Sequence, residues 1–308
     1  MKQVVITGVG ALSPHGEGVL RMITAVTQGK AGVRIGGPIP KVPLKSKNRR
    51  LRLDRISKMA LYAAWAALEE SRYPYREMGE TIGISLGTAT GGLDQSIKLV
   101  SKLFENELDF AAPMIFPNTV KNAAANQIAI ALSIYGTNIT FAGGPGSAMQ
   151  GVKEGMILIC AGKERAILAG GLEEIVEKEA EARKNGPTRS GEPAGEGACI
   201  LLLETLDDAL KRGADILAEL SIVETGYEEG FASPRMEALY ATAMEKTGLS
   251  PGETDPAIFQ RGAGAATVSA VAPSAGVIFS GESLLAAGIT GAGPVAMGAY
   301  AIRYGVEG

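Results

Sequence analysis

Few side chains in this sequence could do chemistry. Its 308 residues include two cysteines, Cys160 and Cys199, and one histidine, His15. Any mechanism that needs two imidazoles, as metal ligands or as an acid/base pair, is excluded by that count. Both cysteines sit in apolar settings, MILICAG and GEGACILLL, and read as buried, inert thiols. The stretch best shaped for catalysis is Tyr135 to Gly151, YGTNITFAGGPGSAMQG. An extended run rich in β-branched residues breaks into small residues, then resumes with helical spacing from Ser147 through Met156 and Ile159. A strand, sharp turn and helix in that order is how enzymes push a nucleophile into a cleft, on a helix N-terminus whose dipole favours negative charge. Here the apex is Gly143-Gly144-Pro145-Gly146, with no Ser, Cys or Thr at its tip. The frame of a nucleophile elbow is present and its reactive group is missing. Ser147, Cys160 and Cys199 are the nucleophile types nearby, and Ser147 reads otherwise as an N-terminal helix cap.

The elements that must position this turn alternate between strand and helix. Gln3 to Val9 reads as a buried strand closing on glycines, and Ser13-Pro14-His15-Gly16 as a turn into a helix over 18–27. The glycine spacing in GVGALSPHG does not match the dinucleotide-binding GxGxxG. A basic run, LKSKNRRLRLDR, is either a docking patch for an acidic partner or a solvated loop leading to a helix start at Asp54. ISKMALYAAWAALEESRY then has helical periodicity with a small-residue face. IGISLGTATGG reads as a second buried strand, followed by a helix over 93–105, irregular PMIFP and an Ala-rich helix from Thr119 to Ser133. The central strand TNITFA and its elbow follow, and then the strand RAILAGGLEEI. Glu177 to Pro193 reads as a surface loop, and GEGACILLLE as a strand buried on both sides, with a short helix from Leu206. At Ile216 the pattern restarts with a long strand ILAELSIVETGY, a helix over 235–249, a strand DPAIFQRGAGAA breaking into glycines, and a last helix over 288–302. This is an α/β chain whose second half is the shorter.

At 46% hydrophobic residues the chain can bury one large core or two fused smaller ones. A net charge of −3 argues against nucleic acid or an anionic membrane surface as partner. No apolar run reaches the ~20 residues of a membrane span, and no secretory leader opens the sequence, so a cytoplasmic location is expected.

The order of VVITGVGALSPHG, RLDRISKMALYAAWAALEES, IGISLGTATGG, PMIFPNTVKNAAANQIAI, YGTNITFAGG, AILAGGLEE and GEGACILLLE resembles that of the β-ketoacyl-ACP synthases of fatty acid and polyketide assembly. The resemblance implies a thiolase-like fold, a layered αβαβα arrangement of two related halves, here 1–215 and a truncated 216–308. It places the family's acyl-accepting cysteine at Gly143, and a glycine has no side chain to acylate. It places the two histidines that decarboxylate malonyl carrier protein at Arg261 and Gly288, and a helix-start lysine near Ser283. The family's closing Gly-Phe-Gly-Gly loop, an oxyanion-hole donor, has no counterpart. What the resemblance leaves intact is an interface: in the family, the strand before the elbow pairs antiparallel with the same strand of a second subunit. Retained interface and erased chemistry is the pattern of the chain-length factors. It implies no cofactor and no metal, an active ketosynthase as heterodimer partner, and an acyl carrier protein. Phe110, Ala111 and Met114 become candidate tunnel-end residues, with Thr140 and Phe141 at the interface. Gly143 departs from the glutamine that chain-length factors often keep, and Asn126 from the glycine usual in the interface helix. Two other readings stay open, a homodimeric protein that binds acyl groups or carrier protein, and a divergent acyltransferase with relocated catalytic residues.

Overall fold

Two apolar runs decide the layering. In AILAGGLE (β5, Ala166–Glu173) and GACILLLET (β6, Gly197–Thr205) every residue is buried. Ala166, Leu168, Leu172, Ala198, Ile200 and Leu202 enter one core cluster, while Ile167, Ala169, Cys199, Leu201 and Leu203 enter another. Because side chains alternate along a strand, such strands must lie between two apolar layers. The computed structural model describes residues 2–27, 34–44, 53–105, 115–143, 146–185, 195–220, 222–226, 258–262 and 265–270, with isolated positions at 242–246.

Within these, β5 and β6 join β1 (Val4–Ser13), β2 (Gly16–Glu17), β3 (Ile82–Gly87), β4 (Asn138–Phe141) and β7 (Ala218–Glu219) in a seven-stranded sheet. The order is β2-β1-β6-β5-β3-β4, with β7 also on β1. β3 runs parallel to β4 and β5, whereas β6 is antiparallel to both β5 and β1. The helices are α1 (Val19–Thr27), α2 (Arg55–Ser71), α3 (Leu93–Phe104), α4 (Ala123–Leu132), α5 (Ser147–Cys160), α6 (Glu177–Asn185) and α7 (Leu206–Lys211). α2 and α4 cover one face of the sheet and α5 the other.

Helix α2 starts where Asp54 accepts the Ser57 N–H at 3.0 Å and stops where Arg72 turns left-handed, at φ 52°. Ala60, Ala63, Ala64 and Ala67 give it a face without bulk. β1 matches that face: a Cβ at Gly10 would lie 1.8 Å from the Ala63 carbonyl oxygen, and one at Gly8 2.1 Å from that of Ala67. These glycines therefore do not close the strand, as the sequence suggested. They sit inside it, leaving room for the helix backbone, and the strand runs on to Ser13.

Four other expectations change. The loop expected from Glu177 contains α6, since EKEAEARKN is rich in strong helix formers and carries Glu177 and Glu179 in its first turn. The Ala-rich helix begins at Ala123, not Thr119, because the Thr119 carbonyl is turned outward to accept the Ser96 hydroxyl at 3.0 Å. The strand from Ile216 is broken in two. Leu217 and Leu220 amides bond to Ile6 and Val4 carbonyls, β1 begins at Val4, and the ladder has no further partner to offer. The chain continues as β8 (Ile222–Gly226) in a separate antiparallel sheet, ordered β8-β10-β9, with β9 (Ile258–Gly262) and β10 (Ala265–Ala270). QRGAGAA is thus no strand fading into glycines, because β9 and β10 pair with Arg261 opposite Ala266. The helices expected over 235–249 and 288–302, and the basic residues 45–52, lie almost wholly outside the described residues.

Gly10→Ala should cost on the order of 1–3 kcal/mol or more through forced displacement of α2. Gly36→Ala, where nothing lies within 4 Å of the added carbon, should stay within about 0.5 kcal/mol of wild type. Urea titrations of the two variants compare them directly.

Candidate functional site

Among the described residues β4 is the last strand of its sheet and pairs only with β3. It is not the central strand that the sequence suggested. Buried Glu164 fixes its entry, accepting the Thr137 N–H at 2.6 Å. The Thr137 carbonyl accepts from Ile84 at 2.7 Å and the Phe141 carbonyl from Thr88 at 2.9 Å, so these residues face β3. By alternation, the Asn138 and Thr140 backbone groups point to the open edge. Beside that edge the Asn138 amide donates to Asn126 Oδ1 at 3.2 Å, and Tyr135, just before the strand, is 69% exposed.

Past Phe141 the chain enters the elbow. The Gly143 N–H donates to Ser147 Oγ at 2.8 Å, tying the turn to the first residue of α5. Ser147 is therefore not the helix cap expected from sequence. Gly146 holds the cap position without a side-chain bond, and the buried Ser147 hydroxyl reaches back to the turn. The start of α5 is pressed onto the sheet. A Cβ at Gly87 would lie 2.0 Å from the Ser147 carbonyl carbon, and one at Gly151 2.8 Å from the Ser85 oxygen. Gly143 itself is under no such constraint. Its φ is not positive, and the nearest atoms to an added Cβ, Gln150 Oε1 and Ser147 Oγ, are 3.8 Å away. A glycine at position 143 is thus not imposed by backbone or space.

The loop after β3 flanks the elbow and is pinned from two sides. Glu173 at the end of β5 accepts the Ala89 N–H, the Thr90 N–H at 3.1 Å and the Thr90 hydroxyl at 2.6 Å. Lys121 Nζ donates to the Ala89 and Thr90 carbonyls, both at 3.1 Å. Burial pushes the Glu173 carboxyl above the ordinary carboxylate range, opposed by these donors. Glu164 and Glu173 are positioning residues that sequence reasoning missed. Their one signal was an acid in or beside an otherwise apolar strand.

The remaining reactive types are placed elsewhere. Three strands separate β1 from β4, so His15, in the turn after β1, is displaced from the elbow by roughly 19 Å at ~4.8 Å per strand. Cys160 ends α5, roughly 20 Å from Ser147 at ~1.5 Å per residue. Burial pushes the Cys199 thiol far up, so it stays protonated within β6. Among the described residues no three His, Cys, Asp or Glu side chains are grouped to hold a metal ion. Of the sequence-derived site residues, the fold brings Thr140, Phe141 and Gly143 together. Arg261 lies in β9, while Phe110, Ala111, Met114, Ser283 and Gly288 lie outside the described residues. A separate apolar groove of about 460 Å³, lined by Ile39, Val42, Leu44, Leu53 and Leu61, opens beside the start of α2 with Lys41 and Lys58 also in its lining. No helix among the described residues is long and apolar enough to cross a membrane.

Residues 40–183 match the family model described as "Beta-ketoacyl synthase, N-terminal domain". The 3-oxoacyl-[acyl-carrier-protein] synthase 2 of Staphylococcus aureus (strain COL) is 25% identical over 291 residues, covering 81% of this chain and 70% of that protein. Among solved structures, the ishigamide ketosynthase/chain length factor superposes with a TM-score of 0.70 at 23% identity, covering 82% of this chain and 72% of that one. A type II PKS acyl-carrier protein in complex with its ketosynthase gives 0.67 at 20% identity, with the same coverage. These likenesses establish a thiolase-like ketosynthase fold.

Gly143→Cys should fold with stability within about 0.5 kcal/mol of wild type and gain one rapidly alkylated thiol by mass spectrometry, since position 143 is exposed. Ser147→Ala should cost about 1 kcal/mol through the lost elbow hydrogen bond, read from the same denaturation curves.

Proposed function

We propose, for a chain whose residues 40–183 match the N-terminal domain model of the β-ketoacyl synthases and whose fold is that of a ketosynthase, a chain-length-factor type of role. In this reading it is a non-catalytic subunit that pairs through β4 with an active β-ketoacyl-ACP synthase of fatty acid, polyketide or polyene biosynthesis and shapes the acyl tunnel. The observation that carries the reading is the conjunction at β4: an open strand edge leads directly into the elbow at Gly143, the position this reading assigns to the lost nucleophile.

The chemistry supports it. Without a side chain at 143 no thioester can form there, and a synthase that loses its nucleophile and its acid/base pair loses most of its rate enhancement. Arg261 and Gly288 stand for that lost pair in this proposal, in a second half from 216 that follows a first half over 1–215. The association physics supports it too. Natural proteins block exposed strand edges with charge, proline or bulges, and NITF carries none of these. An edge left so open suits a partner strand, whose main-chain hydrogen bonds give affinity while neighbouring side chains give selectivity. Phe110, Ala111 and Met114 are assigned to the tunnel end, where each methylene of acyl chain buried is worth ~0.8 kcal/mol. Lys41 and Lys58, beside the groove at the start of α2, suit the docking of an acidic acyl carrier protein. A cytoplasmic location belongs to the same reading.

Co-expression with a candidate ketosynthase should yield a 1:1 complex by size exclusion with light scattering. Thr140→Pro, which removes an outward amide from an edge strand, should abolish that complex while the lone subunit keeps its melting temperature. A chain that associates with no ketosynthase, or only with itself and indifferently to Thr140→Pro, counts against the proposal.

A further inference from the structure

β5 ends at Glu173, and the glutamate after it has a different environment. Glu173 is saturated by the loop after β3, as described above. Glu174 is 5% exposed and faces the start of α2, where the Ile56 amide points at its carboxylate, and its Oε1 has no hydrogen-bond partner among the described residues. Asp54 is 9% exposed and caps the same helix through Oδ1, and its Oδ2 is likewise without a hydrogen-bond partner among them. One helix terminus thus carries two buried carboxyl groups. Each serves a first-turn amide and leaves a second oxygen unmatched.

The surrounding charges do not resolve this. Arg55 is committed to Glu196, with contacts of 2.6 and 2.8 Å. Asp94 and Lys98 on α3 pair with each other at 2.6 Å. Glu173 is held by its own donors. Arg55 and Lys98 still act on Glu174 from a distance, but each is paired with an acid of its own, and Ser57 favours the charged form of Asp54. To this the helix N-terminus adds roughly half a positive charge. Two buried like charges with that little compensation do not both ionise. Among the described residues these acids belong to no group of three that could hold a metal ion.

We propose that Asp54 and Glu174 hold one proton between them, forming a pH-sensitive latch that ties the start of α2 to the end of β5. Burial, then the charges of Asp54 and Asp94, push Glu174 up to about 8, and burial raises Asp54. The sign follows. A carboxyl raised in the fold keeps a proton that the unfolded chain releases, so stability falls as pH rises from the ordinary ~4.3 and levels off above the folded value. Above that value both groups are ionised, repel each other, and loosen the helix start.

The test is chemical unfolding of the full chain from pH 5 to 9, beside Glu174→Gln, an isostere of the neutral acid, and Asp54→Asn, which keeps a capping oxygen. The ratio of the wild-type unfolding constant to that of Glu174→Gln should grow about tenfold per pH unit from pH 5 toward 8 and then flatten. Asp54→Asn should move that plateau to lower pH. Infrared difference spectra at pH 7 should show a carboxylic-acid carbonyl band in wild type that Glu174→Gln lacks. A constant ratio across the range without that band overturns the latch. So does a band or plateau that shifts with exchange of sodium or potassium for a bulky organic cation at fixed ionic strength, because a bound metal cation would then be the compensating charge.

Discussion

The structure depends on backbone meeting backbone where side chains have been removed. β1 touches α2 through Gly8 and Gly10, and β3 touches the start of α5 through Gly87, at separations that no Cβ could occupy. At Gly151, one turn into α5, an added Cβ would meet the Ser85 oxygen less closely, at 2.8 Å. Contacts this close are tolerated only when both sides are small, hence the alanines of α2 opposite the glycines of β1. Because interiors are packed like crystals, the close contacts fix where each helix begins relative to its strand. The elbow stands where it does because β3 lets the first turn of α5 descend onto it.

Buried carboxylates fasten what the glycines bring close. Glu204 is held by Thr7 and by the Arg212 guanidinium, which also donates to the Ser71 carbonyl and lies over the Tyr73 ring. Glu196 clasps Arg55 and the Ile35 amide at the other end of β6. Glu164 and Glu173 hold the loops that enter β4 and leave β3. Each costs desolvation. Glu173, Glu196 and Glu204 hold several donors, and Glu164 holds the Thr137 amide. None of the four leaves a buried oxygen unmatched among the described residues, the condition under which a buried acid is tolerated. The pair at the start of α2 fails that condition, so it stands apart from the others.

The functional reading follows from what these two devices preserve. They keep an open strand edge and a helix-borne turn in register while the turn carries only Gly143. Nothing in the local geometry demands that glycine, in contrast to Gly87 and Gly151, where space does. In the proposed reading, a scaffold held this closely around Gly143 serves shape and association.

Residue order alone was enough for the layered α/β character, the strands of β3, β5 and β6, the helix of α2 with its Asp54 cap, and the lack of Ser, Cys or Thr over 143–146, because periodicity, capping and residue identity are local properties. It misplaced what depends on neighbours. Gly8 and Gly10 looked like a strand end until a helix backbone was seen to lie on them, and the run from Ile216 looked continuous until β1 ran out of partners at Val4. The elbow strand looked central because strand order is not written in any single strand. Whether an acid is matched by donors, as Glu173 is, or left short, as Glu174 is, depends on atoms far apart in the chain. Only the tertiary structure decides that, since burial and hydrogen bonding arise when distant segments are packed together.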